Sequence, residues 1–318
     1  MHFRLAKPAD IVVFHRRGAF IILCYRMRLM PVNSDDPPQI QTLKCEDVAW
    51  PSEDQRILVP FHEAVNVTET GLLGASIASG TDGTLYLLHA VEPGDTKNTD
   101  VVRHDAGTKF MIKQEFDVPV VQQRKELSDD LLHSFIESHD ITSVLIDKEE
   151  ESFFSRMGSD QTDGLQCHTI VGSGMPAFDS PTSILVPVAG GPHSGLAIRI
   201  AEAIATAYGC SIELLHVISE DASEQRENDA AKLLDTCRSR VAESIEVHCD
   251  VLCKPDVADT IIEQSETRDL TVLGAPEKGE LRRYIFGSTV DDIMNNTDPQ
   301  PILTVHRKDT ESLISRWF

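Results

Sequence analysis

The sequence predicts an α/β protein of two doubly wound domains, each a five-stranded parallel sheet, one a duplicate of the other. Three observations predict it. The first is a repeat. Ile57-Leu58-Val59-Pro60 returns as Ile184-Leu185-Val186-Pro187, and Leu87-Leu88-His89 returns as Leu214-Leu215-His216, both at a spacing of 127 residues. Ile77-Ala78 over Ile204-Ala205 keeps that register. A period so long suits a duplicated domain, not a solenoid. The second is the alternation of short apolar runs with helical-period stretches, which means a parallel sheet covered on both faces and linked by right-handed crossovers. The third is length, because 318 residues hold two proper cores.

The elements follow in order. In the first half, strands are expected at Ile57–Pro60, Leu85–Glu92, Val118–Gln122, Ser143–Ile146 and His168–Val171, with helices near 66–79 and 129–138. The stretch 93–117 is polar, so its crossover helix is expected to be short or missing. In the second half, Ile184–Val188 is a short apolar strand ending in a Gly-Gly turn. Residues 194–208 place Leu196, Ile200, Ala203, Ile204 and Ala207 at helical spacing, and Gly209 ends the helix. Ile212–Ile218, Ile245–Leu252, Leu270–Leu273 and Ile302–Val305 are the remaining strands. Glu220–Val241 is a polar helix with Ala231, Leu233, Leu234 and Val241 towards the core, followed by helices at Val257–Ser265 and Ser288–Asn296. The domain plan is an extension outside the core over residues 1–53, a first module at 54–173, a Gly/Ser/Pro-rich linker at 174–183, a second module at 184–308 and a tail at 309–318.

Net charge is −22, with 51 acidic residues against 29 basic ones. Such a surface repels phosphate polymers and argues against nucleic acid or anionic membrane as a partner. With Lys scarcer than Arg, it suits a salt-rich cytosol that screens the carboxylates. The first thirty residues are compositionally foreign, carrying Arg4, Lys7, Arg16, Arg17, Arg26 and Arg28 against Asp10 alone. Their apolar run, Ala19 to Tyr25, is too short to span a bilayer, and Arg26 and Arg28 stand where a signal peptide would need small residues. A membrane-surface anchor, a partner-binding tail and an early start codon remain as readings of this segment. The 7 Cys have no framework spacing and suit a reducing cytoplasm. Cys249 and Cys253 beside His248 resemble a metal pair, but their alternation with polar residues from Ile245 onwards fits a strand with one face in the core.

One loop stands out. It runs from Gly274 through Ala275, Glu277, Lys278, Gly279, Arg282 and Arg283 to Gly287-Ser288-Thr289, leaving a buried strand and entering a helix. Glycine permits close backbone approach, and a helix start with free N–H groups suits an anion. The plainer alternative is that Gly287-Ser288 turns the chain and caps the helix. His89 and His216 end equivalent strands and read as hydrogen-bonded core residues before ligand contacts. No Walker loop, G-x-S-x-G elbow or H-E-x-x-H motif occurs, and nothing pairs a nucleophile with a base.

Tandem modules that open with Ile-Leu-Val-Pro and carry Leu-Leu-His at strand two resemble the universal stress protein family. Gly274, Gly287 and Ser288 fit that family's G-x-x-G-x9-G-S/T signature, and Pro301-Ile302-Leu303-Thr304-Val305 fits its last strand. The resemblance covers residues 55–307, more faintly in the first half. It implies a strand order of 3-2-1-4-5, dimerisation through the last strand, and ATP or AMP binding in some members. The implied nucleotide contacts are Pro187, Val188, Ala189, Val217, Gly274, Ala275, Gly279, Arg283, Gly287, Ser288 and Thr289, in the second module only. Two residues depart from the pattern. Glu277 stands at the middle glycine, and Ala189 stands where nucleotide-binding members have an Asp. In the first half Leu145 or Ile146 is expected in place of Gly274, and Asp147-Lys148-Glu149-Glu150-Glu151 in place of the loop, so no nucleotide is expected there. The loop also resembles stress-protein modules fused behind haloarchaeal amino-acid and cation transporters. The expected function is a cytoplasmic, nucleotide-responsive regulatory module and not an enzyme, with no metal site. The alternative is a module that binds no nucleotide and docks on a membrane transporter. Its expected partner is otherwise itself, as an intrachain pseudo-dimer or a homodimer.

Overall fold

A computed structural model describes residues 54–62, 67–94, 99–148, 165–175, 178–275 and 300–308. These all lie within the larger of two contact units, 42–318. The extension, the tail and the helix expected at 288–296 fall outside the described residues.

Strands β1 (Arg56–Phe61), β2 (Thr84–Val91), β3 (Val120–Glu126), β4 (Ser143–Asp147) and β5 (His168–Ser173) belong to the first half. Helices α1 (Val67–Ser79), α2 (Thr99–Glu115) and α3 (Leu131–His139) alternate with them. The second half repeats the scheme with β6 (Ser183–Pro187), β7 (Ser211–Ile218), β8 (Val247–Cys253), β9 (Leu270–Gly274) and β10 (Ile302–His306). Its helices are α4 (Gly191–Tyr208), α5 (Glu224–Arg238) and α6 (Val257–Ser265). All ten strands form one sheet in the order β3-β2-β1-β4-β5-β10-β9-β6-β7-β8. Each half therefore has the order 3-2-1-4-5, as the resemblance implied. Pairing is parallel within each half, and the halves join through β5 and β10, which run antiparallel with Ile302 opposite Ser173 and His306 opposite Thr169. Two parallel sheets thus become one mixed sheet at a central seam.

Local chemistry sets the helix ends. Ser223 caps α5 by accepting the Arg226 N–H at 3.3 Å, and Asp256 caps α6 by accepting the Asp259 N–H at 2.9 Å. Helix α4 begins at Gly190 and Gly191, both left-handed at φ 90° and 82°, and ends at Gly209 with φ 70°.

The two faces of the sheet are built differently. On one, a single core runs across the seam. Ile57, Val59, Leu85 and Leu87 pack with α1, Ile184, Val186, Ile212 and Leu214 pack with α4, and all belong to one buried cluster. On the other face the halves keep separate cores. Leu58, Leu88, Val144 and Ile146 meet Leu132, Phe135 and Ile136 of α3, while Leu185, Leu215 and Val217 meet Ile261 of α6. The shared core is sealed where the end of α1 meets α4. A Cβ on Gly80 would lie 2.0 Å from the Ala203 carbonyl oxygen, so only glycine fits there. Tyr208 of α4 stands edge-on to Phe116, with centroids 5.3 Å apart, and edge-on to Phe178 at 6.3 Å. Each such pair adds about 1 kcal/mol beyond the area it buries.

Three expectations need correction. The crossover helix α2 is not short or missing but has 17 residues. Its polar composition hides a narrow stripe of Thr108 and Ile112, continued at four-residue spacing by Phe116 just past the helix end, and all three are buried. In α5 the core-facing alanine is Ala230, while Ala231 is exposed. On β8 only part of the expected apolar face is covered. Cys249 packs against the shared core, but Cys253 is exposed because β8 is an edge strand.

Candidate functional site

In an open parallel sheet the crevice for a ligand lies beyond the carboxyl ends of the strands where the order reverses. In the second half that point is between β6 and β9, which pair with Ile184 opposite Leu270. Val188 and Ala189 leave β6, and Gly274 and Ala275 leave β9. Pro187, Val188 and Ala275 are buried, and Ala189 is exposed. Two polar side chains fix the β6 exit. The His216 ring donates from Nδ1 to the Val188 carbonyl at 2.5 Å. Ser194 Oγ accepts the Ala189 N–H at 3.3 Å and donates to the Gly190 carbonyl at 3.1 Å. Burial pushes the His216 pKa down against the opposing bond to Val188, so the ring is a neutral structural clamp. This is the core role expected of it. Its repeat partner His89 does the same work, donating from Nε2 to the His62 carbonyl at 3.2 Å and stacking on Phe61 at 4.9 Å.

Gly274 has a packing reason to be glycine. A Cβ there would lie 2.7 Å from the His193 carbonyl carbon and 2.8 Å from the Ser194 nitrogen. The first turn of α4 thus sits directly on the end of β9. On the β10 side, Ala275 donates its N–H to the Val305 carbonyl at 2.8 Å. The structure brings Val188, Ala189, Gly274 and Ala275 to one crevice. Val217 does not join that cluster but packs with Leu185, Leu215 and Ile261 on the α6 face. Gly279, Arg283, Gly287, Ser288, Thr289 and Glu277 lie outside the described residues.

The first half corrects the sequence alignment. Ile57 lies opposite Ser143 as Ile184 lies opposite Leu270. Counting on, the residue in Gly274's place is Asp147, not Leu145 or Ile146. The shift arises at the strand entrance. Asp269 Oδ2 accepts the N–H groups of Thr182 at 2.8 Å and Ser183 at 3.1 Å. Its counterpart is Thr142, whose Oγ1 accepts the Arg56 N–H at 3.0 Å, whereas Asp140 is the left-handed cap of α3. Burial works to raise the Asp269 pKa, but its hydrogen bonds outweigh it and hold the carboxyl below the usual range. Asp147 is only 5% exposed.

Sequence reasoning passed over the histidines beside this crevice. His193 lies in the first turn of α4, and its ring meets that of His306, the last residue of β10, at 4.7 Å. The signal was the position of His193 directly after Gly190-Gly191-Pro192, but nothing in the sequence says that β10 ends beside it. Among the described residues no group of three or more His, Cys, Asp or Glu side chains is placed to hold a metal. Among them, too, no helix is long and apolar enough to cross a membrane.

The pattern of the universal stress protein family matches residues 182–306. No curated protein matches the chain. Among solved structures, the cytoplasmic domain of a prokaryotic cation chloride cotransporter is 11% identical, covers 83% of this chain and 99% of its own length, and has a TM-score of 0.54. A universal stress protein from Archaeoglobus fulgidus DSM 4304 is 13% identical over 80% of this chain and 97% of its own, at a TM-score of 0.48. A universal stress protein in complex with cAMP is 18% identical and covers 41% of this chain and 99% of its own, at a TM-score of 0.28.

Proposed function

With residues 182–306 a universal stress protein module and β1–β5 a worn copy on the same strand order, we propose that the chain is a nucleotide-responsive regulatory module. In this reading it binds ATP or AMP in its second half alone, works in the cytoplasm, and acts by occupancy and not by turnover.

One contrast carries the reading. At the carboxyl end of β9 stands Gly274, with no side chain, and at the equivalent end of β4 stands the buried carboxylate of Asp147. A carboxylate about 4 Å from a phosphate costs roughly 1–4 kcal/mol per charge pair. A nucleotide is thereby disfavoured in the first half; in the second half the same cost falls on Glu277, and Lys278, Arg282 and Arg283 of the same loop offset it. The phosphates would lie near Gly287, Ser288 and Thr289, with Gly279 and Arg283 from the same loop.

Equilibrium binding of a labelled ATP analogue to the whole chain in high salt tests this. One site per chain is expected, abolished by Gly287→Val. Two equal sites, or no binding at millimolar nucleotide, would overturn it.

The second reading is a partner-docking module for a membrane transporter that binds no nucleotide. The fold shared with the cotransporter domain favours it, as does Ala189 at the end of β6. Absence of nucleotide binding together with retention on a transporter's cytoplasmic face would select it.

A further inference from the structure

Two consecutive backbone N–H groups beyond β10 are held by histidines from opposite halves of the chain. Arg307 donates its N–H to His193 Nδ1 at 3.2 Å, and Lys308 donates its N–H to His168 Nδ1 at 3.3 Å. His193 belongs to α4 of the second half, and His168 opens β5 of the first. A backbone N–H only donates, so each Nδ1 must accept. An imidazole that accepts at Nδ1 is neutral and carries its proton on Nε2. Protonation at Nδ1 of either ring sets donor against donor, and that ring's hydrogen bond is lost.

The surroundings disfavour that proton. His168 is 7% exposed and His306 is 6% exposed. Among the described residues, the titratable and charged groups at the site are His193 from α4, His306, Arg307 and Lys308 from the end of β10, and His168 with neighbouring Cys167 from the start of β5. Strand β9 ends beside it at Gly274, followed by Ala275. Burial keeps the Cys167 thiol protonated, with its pKa pushed up to about 12. Burial and then the Arg307 charge lower the His193 pKa, and burial with His193 lowers that of His306 to about 4.

We propose that His168 and His193 form an acid-sensitive clamp, one jaw from each half, which holds the chain leaving β10 and opens jaw by jaw as each imidazole takes a second proton. Release of His168 frees the Lys308 amide, and release of His193 frees the Arg307 amide and loosens the first turn of α4, whose His193 backbone seats on Gly274. The clamp therefore links acidity to the crevice at β9 and to the seam between halves. It does not depend on a nucleotide being bound there.

Amide hydrogen exchange on the full-length chain tests the clamp, read by NMR between pH 7.5 and about 4 and corrected for intrinsic rates. Protection at Arg307 and Lys308 should fall by about tenfold, the worth of one hydrogen bond. Leu303 and Thr304 inside β10 should keep theirs. The double variant His168→Asn with His193→Asn retains acceptors that do not titrate, and its protection should be independent of pH. His193→Phe should expose the Arg307 amide at both pH values and leave Lys308 protected. Imidazole nitrogen shifts of the unaltered protein give an independent reading, with Nε2–H tautomers expected at pH 7.5 for both residues. Persistent protection at about pH 4, loss shared by the whole of β10, acid sensitivity in the Asn variant, or an Nδ1–H tautomer at pH 7.5 would each overturn the proposal.

Discussion

Gly80 and Gly107 show how the same residue type serves opposite ends. At Gly80 an added Cβ meets the Ala203 carbonyl oxygen at 2.0 Å, and the obstacle is backbone, so no rotamer relieves it. At Gly107, inside α2, an added Cβ meets nothing within 4 Å. Gly80→Ala should therefore destabilise by about 3 kcal/mol, the upper end for overpacking. Gly107→Ala should stabilise by about 0.5–1 kcal/mol through helix propensity. Urea titrations of both variants check the pair, and equal effects would contradict the close approach of α1 to α4. Sequence alone did not separate these glycines, because the contact depends on which helix crosses which. The Asp147 position was hidden for a related reason. Asp140 and Asp269 invite alignment as like residues, yet Thr142 does the work of Asp269.

At the level of elements, β7 and the turn before β9 are locked by Arg268 and Glu213. The guanidinium donates from Nε at 2.8 Å and again from Nη2 to the same carboxylate oxygen. The Glu213 side chain is 12% exposed and that of Arg268 is 25% exposed. Removing one partner leaves a largely buried charge unpaired, which costs about 3 kcal/mol, whereas replacing both with apolar groups is close to neutral. Arg268→Met should show the loss, and Arg268→Met with Glu213→Leu should recover most of it in denaturant melts. The strands were legible because a parallel sheet buried on both faces demands unbroken apolar runs such as Ile184-Leu185-Val186. Helix α4 was legible because a wide apolar stripe faces the core. Helix α2 was not, because over 107–115 it buries Thr108 and Ile112 alone, while Phe110 and Met111 point to solvent, at 64% and 50% exposed. The crevice was half legible. Motif spacing found Gly274 and Ala189, but a side chain's face depends on register, and register put Val217 on the far side.

Across the whole molecule, charge and topology set the behaviour. With a net charge of −22, self-repulsion opposes the compact state until counter-ions screen it. The melting temperature should fall steeply as KCl is lowered from molar to about 0.1 M, and circular dichroism melts that ignore KCl would refute the argument. Topology adds a constraint of time. Strand β5 ends at Ser173, and the residue opposite it, Ile302, is made well over a hundred residues later. At about 5–20 residues per second the ribosome needs roughly 6–25 s to supply it. Throughout that interval β5, with Ile170 and Val171 at its centre, is a bare strand edge on a half that already has its own helices. A neighbouring nascent chain on the same message offers an identical β10. Synthesis on crowded polysomes therefore favours exchange of halves between chains, and the antiparallel seam that closes one molecule is also the place where two become entangled.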